Sequence, residues 1–195
     1  MPAGRPREFD IDKALDKALR VFWRKGYEGA SLPDLTKAMG ISRPSLYAAF
    51  GNKEALFKRA VQRYAEGPAC HVREALEEAT ARRVVEKLLE SSVDLTTDSK
   101  NPRGCFMVQS ALACGDTAEF ARKELIKQRA AGETALRERF KRAVKEGDLS
   151  KSADPADLAR YVSTVSQGLA VQAASGTDRD ALMKVAAMAL RAWPT

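Results

Sequence analysis

We predict an all-α protein from three features of the sequence. Apolar residues recur every three or four positions along almost the whole chain, and no segment alternates apolar and polar residues between hairpin turns. Capping residues, prolines and glycines divide this pattern into about nine helices. The helices up to residue 66 are short, and those after it are longer. We therefore expect a small N-terminal domain, 1–66, followed by a larger helical bundle, 67–195.

The first two helices have clear start and stop signals. Asp10 is a good N-cap for a helix whose apolar residues share one face, and Gly26 is expected to end that helix. Ser31 and Asp34 have the spacing of a capping box, in which each side chain accepts a hydrogen bond from the other residue's backbone N–H. These residues predict a second helix, which ends at Gly40.

The third and fourth helices follow closely. Ser42 can cap a third helix that has Pro44 in its first turn, where a missing N–H does no harm. Leu46 and Phe50 lie one turn apart and are expected to face inward. Asn52 can cap a fourth helix, which continues to about residue 66.

In the second half of the chain, periodicity predicts long helices over about residues 69–95, 117–146, 154–176 and 177–193, and a shorter apolar helix over 105–114. Asp154 and Pro155 mark the start of the helix 154–176, and Thr177 with Asp180 has capping-box spacing for the helix 177–193. Gly132 is expected to be a weak point in the long charged helix 117–146.

Composition and charge favour a folded protein with a polyanionic partner. Hydrophobic residues make up 45% of the chain and the formal net charge is +7, with an excess of five positive charges within residues 1–60. No apolar run is long enough for a membrane span, and the basic N-terminus lacks the apolar stretch of a secretory signal. We therefore expect a cytoplasmic protein with no membrane partner.

Two short helices separated by a tight turn are typical of a helix-turn-helix unit, whose second helix enters the DNA major groove. Arg43, Ser45 and Tyr47 lie away from the inner face of the third helix. Arg can pair with guanine and Ser can bond to bases or phosphates, while the small Ala48 permits close approach. Lys53 begins the fourth helix, where a phosphate is favoured. Alternatively, these residues are ordinary caps and solvent-facing positions of a helical bundle.

The segment "GYEGASLPDLTKAMGISRPSLYAAFGNKEALF" resembles the DNA-binding domain of the TetR/AcrR family of bacterial transcriptional regulators. The matching pieces are "GY", the Ser before the second helix, "MGIS" at the turn, "LYAAF" and "NKEALF". By position, the resemblance implies that Ser31, Arg43, Ser45, Tyr47 and Lys53 contact DNA. We predict that Ser42, Pro44 and Ala48 belong to the same DNA-binding surface. Two residues depart from the family: many members have a small flexible residue in place of Pro44 and His in place of Ala49.

The resemblance also implies how the protein works. It predicts a ligand-responsive dimer, a repressor that releases a palindromic operator when a small molecule binds the C-terminal domain. "GRPRE" resembles the basic N-terminal arm of some members, so Arg5 and Arg7 could reach the minor groove or phosphates; a solvated tail is the alternative.

We expect the homodimer to form through the last two helices, where small residues would let two backbones approach closely. A wholly intramolecular core is the alternative. The proposed surface combines small residues with apolar ones: Ser163, Gly168, Ala170, Ala173, Ala174, Ala186, Ala187 and Ala189, with Val162, Val165, Leu169, Leu182 and Leu190.

The effector cavity is expected among the helices between residues 69 and 176. The segment "RGCFMVQSALACG" is the most suggestive lining, because it combines adaptable apolar side chains with polar ones. Its candidate ligand-binding residues are Cys105, Phe106, Met107, Gln109 and Ser110, although each could simply pack in the core. The identity of the small-molecule effector cannot be derived from them.

Other classes of function find little support in the sequence. Cys70, His71, Cys105 and Cys114 lack the spacing of a shared metal site, so we expect neither a metal nor a cofactor. An enzyme is disfavoured because the chain has one His and no glycine-rich phosphate loop. A helical adaptor that binds only proteins remains the other alternative.

Overall fold

The computed structural model describes residues 9–112, 115 and 118–194. These residues form ten helices and no strand, which confirms the all-α prediction. The helices are α1 (Ile11–Gly29), α2 (Leu32–Met39), α3 (Arg43–Phe50), α4 (Lys53–Glu66), α5 (His71–Leu76), α6 (Ala81–Thr97), α7 (Phe106–Leu112), α8 (Glu119–Glu146), α9 (Pro155–Ala174) and α10 (Arg179–Arg191). Arg5, Arg7 and Cys114 lie outside the described residues.

The predicted N-caps are confirmed at five helix starts. At each start, the side-chain oxygen accepts a hydrogen bond from a backbone N–H of the first turn. This satisfies a donor that has no partner inside the helix. The five capping residues are Asp10, Ser31, Ser42, Asn52 and Asp154.

The prediction of one helix over 69–95 is wrong, because α5 and α6 are separate. The guanidinium of Arg139, from α8, donates hydrogen bonds to the carbonyls of Leu76, Glu78 and Ala79 at 2.7–3.2 Å. These carbonyls are thereby satisfied without helical continuation, and the Thr80 hydroxyl caps α6. A side chain distant in sequence therefore stabilises a break that local periodicity does not reveal.

Two further helix boundaries differ from the predictions. Gly26 breaks the helical geometry, with φ of 68°, but α1 resumes beyond it and ends at Gly29. Asp178, and not Thr177, caps α10. Gly132 lies within the uninterrupted α8, so the long helix is continuous at that point.

The helices pack around two hydrophobic cores. The first contains the buried faces of α1 to α4 together with Phe106 of α7, and Ala118, Ala121 and Leu125 at the start of α8. The second is built from α5, α6, α9, α10 and the C-terminal half of α8. Residues beyond 66 therefore complete the core of the N-terminal helices, which couples the two halves of the chain by packing.

Candidate nucleic-acid interface and internal cavity

A tight turn at Gly40 connects α2 to α3. Gly40 adopts a left-handed conformation with φ of 73°, which is accessible to glycine at little cost, and its N–H donates to the carbonyl of Thr36 at 2.9 Å. Leu46 and Phe50 are buried on the inner face of α3, as predicted. This anchoring leaves the opposite face of α3 towards solvent.

The outer face of α3 presents four of the predicted DNA-binding residues. Arg43, Pro44, Tyr47 and Ala48 are exposed, and Tyr47 keeps 46% of its surface accessible although it is aromatic. The half-buried Ser45 has its hydroxyl 2.9 Å from that of Ser42. Arg43 and Tyr47 therefore offer the longest polar side chains of this face.

Ser31 lies at the start of α2 and is already engaged within the protein. Its hydroxyl donates to Asp34 Oδ2 at 2.7 Å and accepts the Asp34 N–H at 3.2 Å, so the predicted capping box is present. The Lys25 ammonium lies 2.8 Å from Asp34. The hydrogen bond from Lys25, followed by those from Ser31, lowers the pKa of Asp34 to about 2.

The Lys53 side chain contacts the ring of Tyr27, which was not among the predicted site residues. The Lys53 ammonium is 4.4 Å from the centre of the Tyr27 ring, a cation–π contact. Burial lowers the pKa of Lys53, and the nearby Glu28 carboxylate opposes this. The Glu28 carboxylate also accepts the N–H of Gly115 at 2.7 Å. The charge at the start of α4 is therefore held by residues of α1.

An aromatic cluster joins the N-terminal helices to α7. The ring of Trp23 packs edge-on against Tyr64 at 4.8 Å, and Phe106 contacts both Phe57 and Tyr64 at 5.7 and 5.5 Å. The Trp23 indole N–H donates to the Gly104 carbonyl at 3.0 Å. These contacts directly link α1 and α4 to the segment that begins α7.

Tyr64 of this aromatic cluster also lines a cavity of about 430 Å³. Its wall is contributed by the end of α4 and by helices α5 to α9, so the predicted location between residues 69 and 176 matches the position of this cavity. Leu88, Val108 and Leu136 are among its apolar residues. The volume falls within the range of about 300–1,000 Å³ that is usual for small-molecule sites.

Only two of the five predicted ligand-binding residues lie on the cavity wall, Cys105 and Met107. Phe106 points into the aromatic cluster, and the Gln109 amide donates to the Ala170 carbonyl at 3.2 Å. Ser110 is buried, with 1% of its surface exposed. Phe106, Gln109 and Ser110 lie outside this wall, because successive residues of a helix face different directions, and their role in ligand binding stays a prediction.

The polar part of the wall was not predicted from the sequence. It includes His71, Ser92, Arg129, Ser166 and Gln167, which come from α5, α6, α8 and α9. The His71 Nε2 lies 3.2 Å from the Ser92 hydroxyl, to which Ser166 donates at 3.3 Å. No motif connects residues so far apart in sequence, so only the packing of the helices reveals this group.

Cys70, His71 and Cys105 are not grouped as the ligands of one metal ion. His71 is bonded to Ser92, while the Tyr64 hydroxyl donates to Cys105 Sγ at 3.4 Å. In the described part of the chain, no three His, Cys, Asp or Glu side chains are grouped so as to hold a metal ion. Within the same ranges, no helix combines the length and apolar character needed to cross a membrane.

Comparison with known proteins agrees with this geometry. Residues 14–60 match the family described as "Bacterial regulatory proteins, tetR family", and residues 81–190 match "Tetracyclin repressor-like, C-terminal domain". The chain belongs to the TetR family. The first match contains α2, α3 and the start of α4, and the second contains most of the cavity wall.

Related TetR-family proteins match along nearly the whole chain. The HTH-type transcriptional repressor ComR of Escherichia coli (strain K12) is 33% identical over 193 residues, covering 98% of this chain and 92% of its own length. The HTH-type transcriptional repressor BdcR of the same strain is 31% identical over 188 residues, or 95% and 90% of the two chains.

A solved structure extends the comparison to DNA. It contains a cysteine mutant of the TetR family transcriptional regulator CifR complexed with 26bp double-strand operator DNA. That chain is 44% identical, with a TM-score of 0.94, and the alignment covers 98% of this chain and 100% of that chain. The TetR-family chain described here is accordingly a DNA-binding transcriptional regulator and not an enzyme.

Proposed function

We propose that this TetR-family protein is a dimeric repressor that leaves a palindromic operator when a small molecule fills its internal cavity. The observation that carries the proposal is α3, whose inner face is buried and whose outer face exposes Arg43 and Tyr47 within the family's DNA-binding region. Its relatives ComR and BdcR are named as repressors. We place its action in the cytoplasm, where bacterial operators lie.

The proposed DNA surface consists of the exposed side of α3 and the starts of α2 and α4. Arg43 would read a base, because its guanidinium matches the two acceptors of guanine. Tyr47 and Lys53 would bind phosphates, and Ser31, Ser42 and Ser45 would add hydroxyl contacts while they cap their helices. Pro44 and Ala48 would permit close approach because they are compact.

The proposed dimer interface lies on the outer surface of α9 and α10. Much of the apolar set expected there belongs to the protomer's own core instead, including Val162, Leu169 and Leu182. The exposed apolar side chains on these helices are Tyr161, Val171, Val185 and Met188, and Gly168, Ala174 and Ala187 are exposed beside them. Pairing two such surfaces would present two recognition helices to successive major grooves, about 34 Å apart.

The coupling between cavity and DNA surface would run through Tyr64. This residue lines the cavity and also packs on Trp23 and Phe106. A ligand that favours a different position of Tyr64 or Cys105 would shift α4, which starts at Lys53. Ligand and operator would then each weaken binding of the other by the same factor.

Substitution of Arg43 tests the proposed reading of DNA. An operator is first selected from a random DNA pool with the wild-type protein. Arg43→Ala should remain a folded dimer but lose discrimination at one base position of each half-site, by about 1–3 kcal/mol. Arg142→Ala is the matched control, because Arg142 is an exposed arginine near the end of α8. Unchanged sequence preference in Arg43→Ala would contradict the proposed role.

Substitution of Val185 tests the dimer. Val185 on α10 is 47% exposed, and Val185→Glu should place two buried charges in the interface, giving a folded monomer that binds the operator weakly. Ile126→Glu is the control, because Ile126 has a similar exposure of 43% on α8. Analytical ultracentrifugation measures the outcome. A dimer that survives Val185→Glu with its affinity intact would exclude this surface.

A further inference from the structure

The cavity wall contains an arginine, Arg129, without a carboxylate partner among the described residues. Arg129, on α8, donates from Nη1 to the neutral amide oxygen of Gln167 at 3.1 Å. Its Nε is buried and lacks a hydrogen-bond partner. Among the described residues, it forms no ion pair with a carboxylate within 4.0 Å. Arg129 is half-buried, and a partly desolvated cation without a counter-charge is costly, so an anion beside it would be favoured.

The other ionisable groups of the cavity do not change this imbalance. Burial lowers the pKa of His71, so its ring is neutral near pH 7 and is hydrogen-bonded with Ser92. Glu133 also lines the cavity, but its carboxylate lies 3.5 Å from the Arg160 guanidinium. Arg73 adds a second cation, on an exposed part of α5. A ligand in this cavity therefore meets an excess of positive charge.

The remaining wall suits an apolar body. Leu88, Met107, Val108 and Leu136 come from three helices, α6, α7 and α8. Such a wall excludes water and favours hydrocarbon by burial of apolar surface. The low local dielectric also strengthens an ion pair with Arg129 relative to one in water.

We propose that the effector is a small amphipathic organic acid, whose carboxylate pairs with Arg129 while its apolar body lies against the leucine and methionine side of the cavity. This inference rests on the proposed function, since it specifies the ligand class of the cavity that would release DNA. Gln167 is assigned a positioning role, because its amide oxygen holds the guanidinium at Nη1.

The test compares acids with the alcohols of the same shape. Octanoate and 4-phenylbutyrate are titrated into the wild-type protein by calorimetry, alongside octan-1-ol and 4-phenylbutan-1-ol. The acids should bind at least about tenfold more tightly than their alcohols, because a charge-assisted hydrogen bond contributes more than a neutral one. Equal affinities, tighter alcohols, or no binding of either acid would overturn the proposal.

Two variants test whether the preference for acids over alcohols depends on Arg129. Arg129→Met keeps an unbranched, flexible side chain but removes the guanidinium, so it should remove the preference for acids while alcohol binding remains. Arg73→Met is the matched control, because Arg73 is a cation of the same cavity in an exposed position, and it should leave most of the preference. If Arg129→Met keeps the full preference, or Arg73→Met removes it, Arg129 does not hold the anion.

Gln167→Glu separates charge from shape. It places a carboxylate where the amide oxygen lies, 3.1 Å from Nη1, so that the protein supplies its own counter-charge. Acid affinity should fall at least about tenfold while alcohol affinity is unchanged. Unchanged acid affinity in a variant that still binds the alcohols would contradict an ion pair at Arg129.

Operator binding is followed separately by fluorescence anisotropy, so the two proposals can fail independently. If the protein binds its operator and neither acid binds, the ligand class is wrong and the DNA-binding function stands. If the acids bind with the expected preference but never displace the operator, the ligand class stands and the release mechanism is wrong.

Discussion

A matched pair of glycine substitutions tests how the segment before α7 is held. Gly104 has φ of +81°, and a Cβ built there would lie 2.8 Å from Ala174 Cβ and 2.8 Å from Gln109 Nε2. Gly132 lies inside α8, and a Cβ there would meet nothing within 4 Å. The same change to alanine should therefore have opposite effects at the two positions.

The expected magnitudes follow from these geometries. At Gly104, the left-handed backbone costs an alanine about 1 kcal/mol and the overlap with neighbouring atoms adds about 1–3 kcal/mol. At Gly132, alanine should stabilise the helix by about 0.5–1 kcal/mol, because it restricts the unfolded chain. The two variants should thus differ in free energy of unfolding by roughly 2.5–5 kcal/mol.

Urea unfolding followed by far-UV circular dichroism measures this difference. Both variants and the wild type are compared at one protein concentration, because the stability of a dimer depends on concentration. If Gly104→Ala matches the wild type, the segment repacks easily and the junction is not rigid. If Gly132→Ala is destabilising, either α8 is not helical at that position in solution or another group occupies the space beside it.

Three other substitutions test separate contacts. Trp23→Phe should cost about 1–3 kcal/mol in urea unfolding, because the buried Gly104 carbonyl loses its donor; a cost near zero would mean that water replaces the indole. Leu46→Ala should cost about 2–5 kcal/mol and lower the thermal midpoint, because Leu46 is fully buried on the inner face of α3. A midpoint equal to that of the wild type would contradict this packing. The Asp34 carboxyl has a pKa near 2 when folded, below its ordinary value of 3.8, so its contribution to stability is complete above pH 3.8 and is lost as the pH falls towards 2. Asp34→Asn should therefore lose less stability than the wild type across that acid range, and parallel pH profiles would show that Lys25 and Ser31 do not hold the carboxylate.

The start of each N-terminal helix could be predicted because its signals are local. A capping side chain such as Ser31 or Asn52 bonds to backbone groups three residues away, so the pattern is visible in a short window. The inward positions of Leu46 and Phe50 follow from helical periodicity in the same way. The recognition helix was therefore predictable together with its exposed face.

The break between α5 and α6 was not predictable from such windows. It depends on Arg139, which lies 60 to 63 positions away in sequence and supplies donors to the carbonyls at and just after the end of α5. Apolar residues on α9 and α10 pose a similar difficulty, because a core face and a dimer face have the same composition. Exposure in the folded protomer separates Val162 from Val185, whereas their residue types do not.

The sequence by itself determined the all-α class, the helix-turn-helix and the family, because helix caps, turns and the residues of α2 to α4 act over short distances. The tertiary structure alone decided which side chains share the cavity. His71, Arg129 and Gln167 come from three helices, and they meet because α5, α8 and α9 pack together. Whether a guanidinium has a carboxylate beside it depends on every helix that packs around it. The lack of such a partner at Arg129 is therefore apparent only from the fold of the described residues.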